Sequence, residues 1–255
     1  MQSLQDILTS GSVRYVDLTH TLNESFPGLP LPAEFGQVAT FKKTEISRYN
    51  EKGPGWYWNN ITLGEHFGTH FDAPVHWVTG KNFKNNTVDT IPTEHFIAAA
   101  QVIDASKEVA ANPDFVLTPE FIKQWEAEHG ELQPKTWLMF RTDWHKRPIG
   151  PAFLNQGEDG LNHTPGPSKE AVEYLISKDI LGFAVETLNT DAGMSFVWDF
   201  PLPCHTLMHG AGKYGLQCLR NLDQLPTRGA LIVAAPLKIE EGSGSPLRVF
   251  AIVAE

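Results

Sequence analysis

Three histidines and one aspartate lie within the stretch HFGTHFDAPVH at residues 66–76. Imidazole nitrogen and carboxylate oxygen both bind first-row divalent metals. His66, His70 and Asp72 would hold one side of an ion and leave positions open for water and substrate, as in catalytic sites. His76 would remain beside the ion as a proton carrier. The stretch therefore predicts metal-assisted hydrolysis.

Two other classes of protein have to be weighed against a hydrolase. A set of two histidines and one carboxylate also describes non-haem Fe(II) oxygenases, although the tight spacing followed by Pro-x-His does not particularly indicate them. A non-catalytic protein with a structural metal is the other alternative. Structural zinc sites are usually closed by four protein ligands, whereas this stretch predicts three.

The composition indicates a globular protein without a basic surface. The 255 residues are 41% hydrophobic, which is ordinary for a chain that buries a core, and we expect one domain over residues 1–255. The formal net charge of −10 argues against binding to nucleic acid or to an anionic membrane. A small aromatic molecule is the predicted partner.

The two cysteines and the start of the chain predict a cytoplasmic protein. Cys204 and Cys218 make neither a disulfide framework nor a zinc ribbon. Residues 1–11 lack the basic start and apolar run of a signal peptide. No stretch approaches the roughly 20 apolar residues of a membrane helix, so no membrane association is expected.

Strands and helices are both predicted, which makes the fold class mixed α/β. Thr118 is an N-cap followed by Pro119, and Gly130 suits the end of that helix. Ser168 caps a second helix, and a third is expected over residues 206–219 despite three glycines. Short segments rich in β-branched and aromatic residues predict strands at 13–18, 60–63, 101–104, 137–141, 181–186, 230–234 and 248–253.

The metal stretch itself is predicted to be a strand that runs into a loop. Residues 60–63 just before it have the composition of a strand, and Gly68 and Pro74 interrupt any helix. Asp72 stands two positions after His70, so both side chains point to one side if that piece is extended.

The stretch resembles the signature H-x-G-T-H-x-D-x-P-x-H of the metal-dependent cyclase-like hydrolases, a family that includes bacterial kynurenine formamidases and isatin hydrolases. The resemblance implies a mixed, barrel-like β-sheet flanked by helices, a homodimer or homotetramer, and hydrolysis of an amide or lactam. Weaker similarities to the family occur elsewhere in the chain, in the same order as in the family, at residues 17–20, 26–28, 140–142, 187–193, 236–239 and 244–248.

The resemblance also assigns roles to the residues of the stretch. It makes His66, His70 and Asp72 the metal ligands. His76 matches a residue that helps to hold a second metal in binuclear formamidases but accepts a proton beside one metal in isatin-hydrolase-like members.

A residue far along the chain separates these two roles of His76. His205 matches the family's distal histidine, and Gln217 stands where the formamidases have glutamate. A neutral amide is a much poorer ligand than a carboxylate, so a second dication would lose its only anionic ligand. We therefore expect one metal, although Glu186 or His209 would compensate if the alignment slips here.

The predicted cofactor is one divalent ion per chain, either Mn²⁺ or, by intrinsic affinity, Zn²⁺. The ion would lower the pKa of a bound water. His76 would take the proton of that water and return it to the leaving nitrogen. His205 and Gln217 would position the substrate or stabilise the developing oxyanion.

Aromatic residues near the stretch point to a flat substrate. Trp56, Trp58, Phe67 and Trp77 are the predicted substrate-binding residues, with ordinary core packing as the alternative for each. The leading function is opening of a cyclic amide in an aromatic bicycle such as isatin. The alternatives are an aryl-formamidase that acts on N-formylkynurenine and a lactone hydrolase.

Overall fold

A nine-stranded mixed sheet forms the centre of the structure, a computed structural model that describes residues 3–255. The strands are β1 (Val13–Asp17), β2 (Lys42–Asn50), β3 (Gly53–Thr62), β4 (His70–Asp72), β5 (Ile97–Asp104), β6 (Val116–Leu117), β7 (Trp137–Arg141), β8 (Gly166–Pro167), β9 (Gly182–Val185), β10 (Tyr214–Gln217), β11 (Arg228–Val233), β12 (Gly244–Pro246) and β13 (Phe250–Ala254). The helices are α1 (Leu4–Thr9), α2 (Ser106–Ala111), α3 (Pro119–His129), α4 (Pro151–Leu154), α5 (Lys169–Ser177) and α6 (Pro203–Gly210).

The sheet runs in the order β1-β13-β11-β5-β7-β9-β10-β4-β12 and is curled into a half-barrel. Its four central strands, β5, β7, β9 and β10, are parallel, and the strands on both sides pair antiparallel. The expected mixed α/β fold with a barrel-like sheet is therefore confirmed.

Both faces of the central strands are buried, because alternate residues enter two different hydrophobic cores. On β7, Leu138 and Phe140 pack with the residues of α3 and α5. Trp137 and Met139 point the other way, into the core inside the curl. A buried parallel centre explains why these strands are continuously apolar in sequence.

The two capped helices agree with their predicted ends. The Thr118 side chain accepts from the backbone N–H of Phe121, and α3 ends at Gly130, whose φ is 89°. Ser168 caps α5 in the same way through Ala171. No helix within residues 3–255 is long and apolar enough to cross a bilayer.

The third predicted helix is wrong in its second half. Helix α6 ends at Gly210, and the chain then turns through Gly212, whose φ is 70°, into strand β10. The glycines that weakened the helical pattern therefore mark its end, and Gln217 lies on a strand.

The strand predicted at 60–63 belongs to a longer hairpin outside the main sheet. Strands β2 and β3 pair only with each other among the described residues, and most of their side chains are exposed.

The metal stretch enters the main sheet as the short strand β4, between β10 and β12. Before it, the buried Thr69 hydroxyl donates to the Cys218 carbonyl at 2.6 Å and accepts from the His20 N–H at 3.0 Å. One hydroxyl thus joins the start of β4 to the end of β10 and to the N-terminal segment.

Replacing Thr69 by valine is expected to lower the free energy of unfolding by about 2–4 kcal/mol, because two buried backbone groups lose their partner without a change of shape. Chemical denaturation measures the change. Thr69→Ser keeps the hydroxyl and serves as the control. Equal stabilities of the valine and serine variants would contradict the role of this hydroxyl.

Candidate active site

The carboxylate of Asp72 lies at the centre of the candidate site and is fully buried. Its Oδ1 is 2.7 Å from His66 Nδ1 and 3.3 Å from His70 Nε2. Its Oδ2 accepts a hydrogen bond from the Gln217 side-chain amide. The structure therefore brings the three predicted metal ligands and Gln217 together around one side chain.

The outer nitrogens of both imidazoles are held by other groups. His70 Nδ1 lies 2.7 Å from the Gly68 carbonyl, to which it donates. His66 Nε2 lies 2.8 Å from the Ser243 hydroxyl, and that hydroxyl donates to Glu65 at 2.6 Å. Since the serine proton goes to Glu65, His66 Nε2 is the donor to Ser243. The nitrogens that face Asp72 are then the unprotonated ones.

This arrangement fits a divalent ion. Two imidazole lone pairs and a carboxylate oxygen facing one another repel unless a cation or extra protons lie between them. Two ligand atoms that each lie about 2.1 Å from one ion, at right angles to one another, are about 3 Å apart. That distance is close to the 2.7 Å from Asp72 Oδ1 to His66 Nδ1 and the 3.3 Å from Asp72 Oδ1 to His70 Nε2. Metal-binding histidines usually donate their other N–H to a carbonyl or a similar acceptor, as His66 and His70 do.

Asp72 remains ionised in these surroundings. When protons rather than an ion lie between these groups, burial acts to raise the pKa of the Asp72 carboxyl, but the positive charge of His70 and the hydrogen bonds from His66 and His70 hold that pKa well below its usual range. The anionic ligand that a dication needs is thus available at neutral pH.

His76 lies on the 3₁₀ turn Pro74–His76 that follows β4. Its ring stacks on that of His66 with centroids 3.7 Å apart, and potential ligand atoms of His66, Asp72 and His76 lie within 4.8 Å of one another. By distance alone His76 could therefore replace His70 as a ligand. The His76 ring makes no hydrogen bond to residues 3–255, so its orientation is not fixed in the way that Gly68 fixes His70.

His76 is a neutral imidazole in this environment. Burial lowers its pKa to about 2, and the neighbouring imidazoles act in the same direction against the charge of Asp72. The ring is therefore unprotonated at neutral pH, although so low a pKa makes it a weak base, and its role in moving a proton stays a prediction.

His205 enters the site from the first turn of α6. Its Nδ1 donates to Asp191 at 2.6 Å, and the same carboxylate accepts from the backbone N–H groups of Cys204 and His205. Burial acts to lower the pKa of His205, but its hydrogen bond and charge interaction with Asp191 raise it overall. Asp191 therefore fixes both the start of α6 and the orientation of His205.

Glycines opposite Asp72 make space for the ligands. Gly215 of β10 and Gly244 of β12 both pair with Asp72 across the sheet. A Cβ at Gly215 would lie 2.9 Å from Asp72 Oδ2, and one at Gly244 would lie 2.5 Å from His66 Cε1. Any larger residue at either position would displace a predicted ligand.

A cavity of about 210 Å³ opens onto this site, and we call it the catalytic cavity. Three much larger cavities lie elsewhere: one of about 540 Å³ at Glu45 and Lys52, one of about 480 Å³ at His95 and Tyr214, and one of about 450 Å³ at Trp125 and His129. None of the three is lined by His66, His70, His76 or His205, so size does not identify the site. The catalytic cavity is lined by Leu29, Leu31, Val38, His66, His70, His76, Trp77, Leu188, Asn189, Phe196, Leu202, His205 and Gln217.

Comparison with known proteins identifies the family. A family described as putative cyclase matches residues 16–192. The chain belongs to the cyclase family. An isatin hydrolase from Roseibium aggregatum is 48% identical over 248 residues, which are 96% of this chain and 94% of the relative. A kynurenine formamidase of Bacillus cereus is 24% identical over 92% of this chain and 95% of its own length.

Two solved cyclase-family structures are nearly superimposable on this chain. Isatin hydrolase A from Ralstonia solanacearum is 58% identical, with a TM-score of 0.96 that covers 98% of this chain and 95% of that protein. An isatin hydrolase bound to the product analogue thioisatinate is 47% identical, also with a TM-score of 0.96, and covers 99% of this chain and 97% of that protein.

The predicted aromatic residues of this cyclase-family chain do not all reach the cavity. Trp77 lines it, with its ring 5.0 Å from that of His205. Phe67 is buried in the core between the sheet and the helices. Trp56 and Trp58 lie on the exposed hairpin, 49% and 54% accessible, and are not among the lining residues. The contact of Trp56 and Trp58 with substrate stays a prediction. The homo-oligomer also stays a prediction.

Sequence reasoning missed several residues that hold the ligands. Ser243 and Glu65 orient His66, and Asp191 orients His205. Asp191 falls within residues 187–193, whose weak similarity to the family assigns it no role. Ser243 carries no signal in the sequence, because its contact with His66 depends on strand β12 lying beside β4. The apolar wall from Leu29 and Leu31 comes from an irregular loop and was not predicted either.

Replacing Ser243 by alanine is expected to weaken metal binding by about 10- to 100-fold, because the outer N–H of His66 loses its acceptor. Titration of the metal-free protein against a chelating dye measures the affinity. Ser245→Ala is the control, since the Ser245 hydroxyl bonds only to the backbone of Leu237 and Pro246. An unchanged affinity in the Ser243 variant would contradict the assignment of His66.

Proposed function

We propose that this chain hydrolyses the cyclic amide of isatin to isatinate with one divalent ion per chain. The observation that carries the proposal is the 47–58% identity to proteins named isatin hydrolase over nearly the whole chain, one of them with a product analogue bound. The ligand-like set around Asp72 opens onto a cavity with mostly apolar walls, which suits a flat aromatic bicycle.

The reaction adds water to the amide carbonyl and breaks its bond to the ring nitrogen. When bound, the ion supplies a Lewis acid and lowers the pKa of a coordinated water. His76 accepts the proton that the attacking water loses and returns it to the leaving nitrogen, which becomes an aryl amine. The carbonyl carbon becomes a carboxylic acid, which releases the second proton of the water to solvent and leaves as the carboxylate of the product.

Two other residues are placed to hold the substrate during this reaction. Gln217 lies directly opposite His70 on the neighbouring strand, and His205 is held by Asp191. Both line the catalytic cavity and can donate a hydrogen bond to an oxygen that becomes negative. Leu188 and Phe196 provide apolar wall for the aromatic ring.

Gln217 supports one ion rather than two. Its amide donates to the Asp72 oxygen that does not face His66 and His70. Ligand atoms of Asp72, His205 and His209 also lie within 4.8 Å of one another, and a second ion there would have to share Asp72 with the first ion and with Gln217. We propose Mn²⁺ as the ion, because a site with three protein ligands and open positions suits it, with Zn²⁺ as the competitor.

The metal-free protein reconstituted with Mn²⁺ is expected to convert isatin to isatinate, and the metal-free form is expected to lose at least a hundredfold in kcat. Loss of isatin absorbance and metal analysis measure this. Zn²⁺-loaded protein and N-formylkynurenine are the comparison arms. Hydrolysis of N-formylkynurenine but not isatin, or turnover that needs O₂, would refute the proposal.

Replacing His76 by alanine is expected to lower kcat for isatin by about 10²- to 10⁴-fold while the chain keeps one bound metal. His70→Ala is the matched variant and is expected to lose the metal as well. Metal content and kcat are measured on the same samples. Loss of the metal in the His76 variant would make His76 a ligand in place of His70.

A further inference from the structure

A second cavity of about 220 Å³, which we call the distal cavity, adjoins the catalytic cavity. It contains none of the predicted metal ligands or catalytic residues. The two cavities share five lining residues, which form their common walls: Leu29, Leu31, Leu188, Asn189 and Phe196.

The walls of the distal cavity carry no charge. Pro30, Pro32 and Leu161 add to the shared apolar wall, and the polar groups come from uncharged residues such as Asn162 and Thr164. No Asp, Glu, Lys, Arg or His of the described chain lines it. A charged group placed there would lose part of its hydration against the apolar walls without gaining an ionic partner.

The combined size of the cavities exceeds what one small bicycle needs. Sites for drug-sized ligands have volumes of roughly 300 Å³ or more, which neither cavity reaches alone but both reach together. A substrate whose reacting amide lies at His70 and His76 can therefore extend past Leu188 and Phe196 into the distal cavity.

We propose that the distal cavity is a subsite for an uncharged, apolar group carried on the aromatic ring of the substrate. The substrate class of the chain is then ring-extended isatins and similar aryl lactams, with a phenyl or butyl group as the extension. This inference rests on the proposed isatin hydrolysis. It also disfavours N-formylkynurenine, whose charged amino-acid end would find no ionic partner in the distal cavity.

The test compares kcat/KM for isatin with that for isatins that carry a phenyl group at each of the four benzo-ring carbons in turn. At one or more positions KM is expected to fall about tenfold, because the added ring is removed from water. The carboxylate-bearing isatin substituted at that same position is expected to show no gain. If KM falls for none of the four phenyl compounds, the subsite is refuted.

Variants of Leu161, which lines the distal cavity, test whether the fall in KM for the phenyl compound arises there. Leu161→Trp fills the cavity and is expected to abolish the gain for the phenyl compound while kcat/KM for isatin stays within about twofold. Leu161→Ala enlarges the cavity and is expected to give the lowest KM for an isatin with a group larger than phenyl. This variant keeps the test valid if the tryptophan variant folds poorly. Leu237→Trp, at a residue that is 63% exposed and outside both cavities, is the control.

The outcomes separate this inference from the proposed function. If isatin is hydrolysed but the phenyl gain survives Leu161→Trp, the subsite is wrong and the hydrolase stands. If isatin itself is not hydrolysed, the proposed function fails and this inference fails with it.

Discussion

The contact between the Asp72 carboxylate and the inner nitrogens of His66 and His70 is the interaction on which the site depends. Gly68 and Ser243 fix the outer nitrogens, so the contact is repulsive without a cation or extra protons. The surrounding fold holds these groups in place against that repulsion. Strands β10 and β12 pair with β4 on its two sides. Gly215 and Gly244, which lie opposite Asp72 on these strands, leave room for the ligands.

Sequence patterns predicted the parts of the molecule that are encoded locally. The ends of α3 follow from the capping chemistry of Thr118 and Gly130, and the metal stretch places its ligands within a few residues of one another. The second half of the predicted helix at 206–219 failed because glycine-rich chain has weak local preferences, and pairing with β9 and β4 made it strand β10.

The groups that orient the ligands could not be predicted, because long-range strand pairing brings them to the site. Ser243 reaches His66 only through the placement of β12, and Asp191 reaches His205 through the loop after β9. Trp56 and Trp58 show the opposite case. Proximity in sequence to the metal stretch suggested a contact with substrate, but the hairpin carries both side chains into an exposed position in this chain.

Charge explains why the position of Gln217 matters for the number of ions. Within residues 3–255, Asp72 is the one carboxylate in contact with the imidazoles of His66 and His70, and the buried carboxylate of Asp191 already pairs with His205. One dication at Asp72 leaves one net positive charge, which a developing oxyanion on the substrate can balance. A second dication would raise that charge further in a buried site, where unbalanced charge is expensive. A neutral amide at Gln217 therefore keeps the remaining carboxylate oxygen bound and leaves His76 free to move a proton.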